Sequence, residues 1–219
     1  MATRQLLAAL GTAYEREGTA QVVVESIGGV DATRRVLEGE VFDFVVLAAD
    51  AIDKLAAQEK VLAGSRVDLV TSGVAVAVRQ GATRPDVATE DAVRHAVLAA
   101  RNVGYSTGPS GVALAKLFDR WGITQQLEGR FVQAKPGVPV ASLVARGDVE
   151  LGFQQLSELL GIEGIDVIGP LPPAIQITTT FSAGVCSTSR EPDATRALLQ
   201  FMASPAVSEA KRRCGMEPA

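Results

Sequence analysis

The sequence predicts an α/β protein with mostly parallel sheets, and three observations carry that reading. Segments rich in β-branched residues alternate with segments of helical periodicity along the whole chain. The run FDFVVLAAD at 42–50 is apolar almost throughout, as in a strand covered on both faces. VAVAVR at 74–79 is a second run of the same kind.

The elements follow in order. Residues 3–17 place Leu6, Leu7, Leu10 and Tyr14 on one helical face. AQVVVE at 20–25 reads as a strand, and the double-glycine turn SIGGVD then opens a helix, ATRRVLEG. FDFVVLAAD is a strand and AIDKLAAQEKV a helix, followed by the strand VAVAVR. The loop GATRPDV leads into a helix, EDAVRHAVLAA, capped by Thr89 or Glu90. NVGYS is a strand, GVALAKLFDRWGI and VPVASLVARG are helices, and VELGFQQ is a strand. SELLG is a short helix, IDVIG a short strand, and QITTTFSAGVCS a long β-branched strand. A helix pair broken at Pro205 closes the chain. The strands at 74–79 and 176–187 bracket a middle block. Two lobes are expected: residues 1–75 with 181–219, and an inserted lobe of residues 76–180.

Composition narrows the function. The 219 residues are 47% hydrophobic and 21% charged, which is ordinary globular usage. The net charge of −4 and the scattered basic residues argue against a nucleic-acid surface. KRR at 211–213 reads as a solvated helix end. No stretch reaches the roughly 20 apolar residues of a membrane span, so no membrane insertion is expected. The first residues lack the apolar run and cleavage site of a signal peptide. Read as it stands the chain is cytoplasmic; if a leader was trimmed, it is periplasmic. Cys186 and Cys214 are too far apart for a C-x-x-C motif. They are free thiols, or a disulfide tying the last helix to a strand. His95 is the single histidine and falls in a helical stretch. Neither a zinc site nor a Ser-His-Asp triad is expected, and no metal or cofactor.

Three loops share one chemistry. ESIGGVDA carries Ser26, Gly28 and Gly29; GYSTGPSGV carries Tyr105, Ser106, Thr107 and Ser110; AKPGVPVA carries Lys135, Gly137 and Val138. Each offers backbone N–H groups at a helix start, where the dipole favours an anion. One such loop alone is ordinary capping, but three at strand ends point to a shared anion site. The lysine of a nucleotide phosphate loop is missing from all of them. GFQQLSEL adds Gln154 and Gln155, one on each sheet face, and Glu158 as a candidate base. Lys135 and Arg79 are candidate charge partners for the ligand.

FDFVVLAADAIDKLAAQEKVLAGSRVDLVTSGVAVAVRQG, GYSTGPSGVALAKLFDRWGI, LVARGDVELGFQQLSEL and LLQFMASPAVSEAKRRCGMEP together resemble the type II periplasmic-binding-protein fold. The resemblance is to molybdate-type solute-binding proteins in particular and covers nearly the whole chain. It implies a ligand held between two lobes. Ser106, Thr107, Ser110, Gly137 and Val138 would contribute from one lobe, and Ala48 and Ala49 from the other. Gln155 stands where molybdate binders place a tyrosine, which points away from molybdate. The family begins with a strand and a ligand loop ahead of the first helix. By this resemblance, that strand and its loop are not expected among these residues. Either it lies upstream or another segment fills the gap, and Thr3 is the residue nearest to that loop.

GFQQLSEL and YSTGPSG resemble most the branch that includes aconitate isomerase. Members of that branch shift a double bond in a tricarboxylate without a cofactor. Such a reaction needs a base, here Glu158, Lys135 or Tyr105, and groups that stabilise an enediolate-like intermediate. Two functions follow. One is a solute-binding protein for a small organic anion or oxyanion, delivering it to the membrane component of an ABC transporter. The other is a cofactor-free isomerase of a small polycarboxylate. A sensor domain of the same fold is the third reading, and no helix-turn-helix precedes it here.

Overall fold

The computed structural model describes residues 2–18 and 20–219; Met1 and Thr19 lie outside them. In chain order the elements begin with α1 (Arg4–Arg16), α2 (Gly29–Leu37), β1 (Phe44–Ala48), α3 (Ala49–Ala57) and β2 (Val67–Arg79). The middle of the chain forms α4 (Glu90–Ala99), β3 (Val103–Tyr105), α5 (Pro109–Arg120), β4 (Phe131–Gln133), α6 (Val140–Arg146), β5 (Leu151–Gln155), α7 (Leu156–Leu159) and β6 (Ile165–Pro170). The chain closes with β7 (Thr178–Val185), α8 (Pro192–Ala203), α9 (Ser208–Arg213) and β8 (Glu217–Pro218). It divides into two compact units, Met1–Ser72 with Thr179–Ala219, and Gly73–Thr178.

In the first unit β1 pairs antiparallel with β7, from Phe44 opposite Val185 to Ala48 opposite Phe181. The start of β2 pairs antiparallel with β8. The apolar face of α1 forms as its periodicity requires. Leu6, Leu7, Leu10 and Tyr14 are buried in one cluster with Leu69, Val70, Val185, Leu199 and Met202. Burying each such aliphatic side chain is worth about 1.5–3 kcal/mol. Gly184 lets β7 lie flush on its neighbour, because a Cβ there would meet Val61 Cγ1 at 2.5 Å.

In the second unit β3 pairs parallel with both β4 and β5. The far half of β2 runs antiparallel to β5 and β6. The sheets are therefore mixed, with the parallel pairs gathered around β3. Phe118 stacks on Phe131 at 5.2 Å and meets Phe153 edge-on at 6.1 Å. Thr89 caps α4, its Oγ1 accepting from the Ala92 N–H at 3.1 Å. At the other end of α4 the Arg130 guanidinium donates to the Leu98 carbonyl at 2.7 Å and to that of Ala100. His95 is exposed on the same helix.

Several expectations are corrected. Residues 20–25 form no strand. Their β-branched side chains suit a sheet, but a strand also needs a neighbour to pair with. The Val22 N–H is instead taken by Glu15 Oε1 at 2.8 Å. The helix expected from residue 32 starts at Gly29. A short strand, β4, was not expected between α5 and α6. The 211–213 run is only partly solvated. Arg212 and Arg213 are exposed and pair with Glu217 and Glu209, whereas Lys211 is 1% exposed. Lys211 stands one turn after the buried Val207, so helical geometry carries it inward. Both cysteines are free thiols, Cys186 buried and Cys214 half-buried. No helix among the described residues is long and apolar enough to cross a membrane.

Candidate functional site

Strands β3, β4 and β5 run in one direction, so their carboxyl ends share one edge of the second unit's sheet. Three connections leave that edge. Residues 106–108 lead into α5, residues 134–139 lead into α6, and β5 runs directly into α7. Parallel pairing thus brings together Tyr105, Ser106, Thr107 and Ser110, then Lys135, Gly137 and Val138, then Gln154, Gln155 and Glu158. The Ala134 N–H donates to the Tyr105 carbonyl at 2.9 Å and ties the first two connections together.

The loop before α5 is seated on a glycine. A Cβ on Gly111 would lie 1.8 Å from the Ser106 carbonyl oxygen. Only glycine lets that carbonyl approach the helix so closely. Ser106 Oγ and Ser110 Oγ lie 3.5 Å apart across the first turn. Gly108 is the N-cap of α5 and no side chain among the described residues caps that end, so its first N–H groups keep their capacity for an acceptor. Gly137 takes a left-handed φ of 78° in the turn closed by the Val138 N–H donating to the Lys135 carbonyl at 2.9 Å. Lys135 is exposed at this edge.

Gln154 and Gln155 are both 3% exposed. Gln154 Oε1 accepts from the Ala141 N–H at 3.1 Å and so caps α6. Its side chain also hydrogen-bonds Glu158. Gln154 therefore supports the edge from behind. Burial raises the pKa of the half-buried Glu158 above the ordinary glutamate value, and the Gln154 hydrogen bond opposes that rise. Ser157 is also buried, and its Oγ has no hydrogen-bond partner among the described residues. Sequence reasoning passed over both Ser157 and Gly111. A hydroxyl in the first turn after a strand end, and a glycine inside a helix, were the available signals.

Arg79 lies elsewhere. β2 runs against β5 with Val74 opposite Gln155 and Ala77 opposite Gly152, so Arg79 falls toward the opposite sheet edge.

In the first unit, Ser26, Gly28 and Gly29 lead into α2, and Ala48 and Ala49 join β1 to α3. Neither helix has a side-chain cap among the described residues. A Cβ on Gly29 would meet Leu47 at 3.7 Å, so the start of α2 lies beside the end of β1. Thr3 is buried at the N-cap of α1, where its carbonyl accepts from the Leu7 N–H at 2.8 Å.

Two α/β units whose helices start where strands end make up the fold of the type II periplasmic-binding-protein class. The chain belongs to the bacterial extracellular solute-binding protein family, whose profile matches residues 1–217. It is 42% identical over 188 residues to an aconitate isomerase from Pseudomonas sp., covering 84% of this chain and 70% of that protein. Its fold is similar to that of the Azotobacter vinelandii periplasmic molybdate-binding protein. The TM-score is 0.81 at 18% identity, covering 98% of this chain and 95% of that one. It is also similar in fold to the sulfate-binding protein SubI from Mycobacterium tuberculosis H37Rv. There the TM-score is 0.74 at 17% identity, covering 100% of this chain and 83% of that one.

Proposed function

We propose that the chain binds a small polycarboxylate of the aconitate type and moves its double bond without a cofactor. The observation that carries this reading is Glu158, a half-buried carboxyl hydrogen-bonded to Gln154 at the sheet edge from which the three connections leave. The 42% identity to an aconitate isomerase supports it. A carboxylate destabilised by burial is a stronger base than one in water. In this reading the Glu158 carboxylate takes a proton from the substrate carbon beside the double bond. The electron pair shifts through the double bond toward a carboxylate, giving an enediolate-like anion. Glu158 then returns the proton to the other end of the three-carbon unit, so protons and electrons balance with no co-reactant. The α5 N–H groups with Ser106, Thr107 and Ser110 hold substrate carboxylates, and Lys135 adds a positive charge at the rim.

A second reading keeps the same binding and removes the chemistry. The chain would then be a carboxylate or oxyanion receptor working with the membrane component of an ABC transporter. The family match and the molybdate- and sulfate-binding neighbours favour it.

One experiment separates the readings. The protein is incubated with cis-aconitate in deuterated water and followed by proton NMR. The trans isomer and solvent deuterium in the product are expected, with the rate falling by about 10²–10⁴ in Glu158→Gln. Aconitate that raises the unfolding temperature but stays unchanged supports the receptor. A shift with molybdate or sulfate and none with any carboxylate overturns the carboxylate assignment.

A further inference from the structure

A cavity of about 320 Å³ lies in the second unit, between one face of α5 and residues 174–177. That volume is at the small end of the range for ligand sites, roughly 300–1,000 Å³. Ala113, Lys116, Leu117 and Arg120 line the helix side. Their spacing of three, four and seven residues places them on one face. The floor is apolar, with Leu117 at 6% and Ile175 at 5% exposure.

The opposite wall is held in place. Gln176 Oε1 accepts from the Val74 N–H at 2.9 Å and the Ile177 N–H at 2.8 Å, and its Nε2 donates to the Leu171 carbonyl at 3.1 Å. Gly73 makes room for that amide, since a Cβ there would lie 3.2 Å from it. A wall fixed by three hydrogen bonds is pre-organised, which lowers the ordering cost of binding.

The charge at the rim falls on one residue. The Arg120 guanidinium donates to Glu90 Oε1 at 3.2 Å, and the Trp121 indole N–H donates to the same oxygen at 2.7 Å. Lys116 is exposed and makes no ion pair or hydrogen bond with any described side chain. One uncompensated cation above an apolar floor matches one anionic head on an apolar body.

We propose that this groove is a second ligand site, taking a small monocarboxylate with an apolar tail: the head group on Lys116, the tail against Leu117 and Ile175. The site is separate from the strand-end loops and does not rest on the isomerase reading.

Octanoate is the probe, titrated into the isotopically labelled protein and followed by amide resonances, with 1-octanol and acetate as controls. Shifts are expected at residues 113–120 and 174–177. Octanol and acetate should each bind at least tenfold more weakly than octanoate. Lys116→Glu should weaken octanoate by at least tenfold, and Ala113→Phe, which fills the groove, should abolish the shifts. The exposed position of Lys116 leaves the fold of the first variant intact. Absence of octanoate binding at millimolar concentration overturns the proposal. So do equal binding of octanol, indifference to Lys116→Glu, and shifts centred on residues 106–108.

Discussion

Replacing Gly111 by alanine adds one methyl group at the tightest approach in the second unit's strand-end edge. That methyl would lie 1.8 Å from the Ser106 carbonyl oxygen and 2.7 Å from its carbon, where real Cβ contacts keep at least 3.0 Å. The blocking atoms are backbone, so no rotamer change relieves the overlap. Residues 106–108 must lift off the first turn of α5 by more than an ångström. Overpacking of this kind costs about 1–3 kcal/mol, and a backbone clash belongs at the upper end. If the loop holds a carboxylate, its affinity should fall at least tenfold, about 1.4 kcal/mol. Gly108→Ala is the matched control. A Cβ there meets only the Ser106 hydroxyl at 3.7 Å, and its φ of −76° suits any residue. As an N-cap, alanine is less favourable than glycine, so this variant should lose about 0.5–1 kcal/mol, less than Gly111→Ala. Urea unfolding measures the stabilities, and calorimetric titration with cis-aconitate measures the affinities. Equal stability of Gly111→Ala and the parent would refute the seating of the loop on that glycine. Lower stability with unchanged affinity would remove the loop from the ligand site.

Other outcomes follow from the same edge and from the thiols. The folded pKa of Glu158 is raised, so its stabilising effect is complete below the unfolded pKa and is lost as pH rises through the folded value. Glu158→Gln should therefore match the parent in urea near pH 4 and exceed it at pH 7.5; a gap that is equal at both would contradict the assignment. Gln154→Ala strips the acceptor from the Ala141 N–H and should cost about 1–3 kcal/mol by chemical unfolding. It should also move the Glu158 titration further upward, read by carbon NMR of the carboxyl group. Burial pushes the Cys186 thiol up to about 12; it also raises the less buried Cys214, where the Arg213 charge opposes the rise. Iodoacetamide at pH 8 should label Cys214 first and Cys186 only on unfolding, as peptide mass spectrometry would show.

Local pattern was enough where one element carried its own signature. The face of α1 was legible because Leu6, Leu7, Leu10 and Tyr14 repeat at helical spacing. The loop after β3 and the passage from β5 into α7 could be placed at strand ends because strand and helix alternate around them. Pairing was less legible. Residues 20–25 have a strand's composition and no strand's partner, while β4, with only Phe131–Gln133, is too short to show a period. The direction of β2 against β5 and β6 is likewise a property of distant segments. At the candidate site, hydroxyls and glycines were visible, but contacts were not. That Gln154 serves the helix start at Ala141, and that Lys211 turns inward, depends on which neighbours the fold supplies.

The Val74 N–H donates to the Ile177 carbonyl at 3.1 Å, so the chain leaves the second unit beside the point where it came in. That unit is one continuous stretch, whereas the first is assembled from two. On the ribosome the two are completed in a fixed order. All strands of the continuous stretch have been made before β7 and α8 exist to close the other core. The inserted half is thus born whole while its host waits, and closing its neighbouring ends with a short linker would yield a module able to fold by itself.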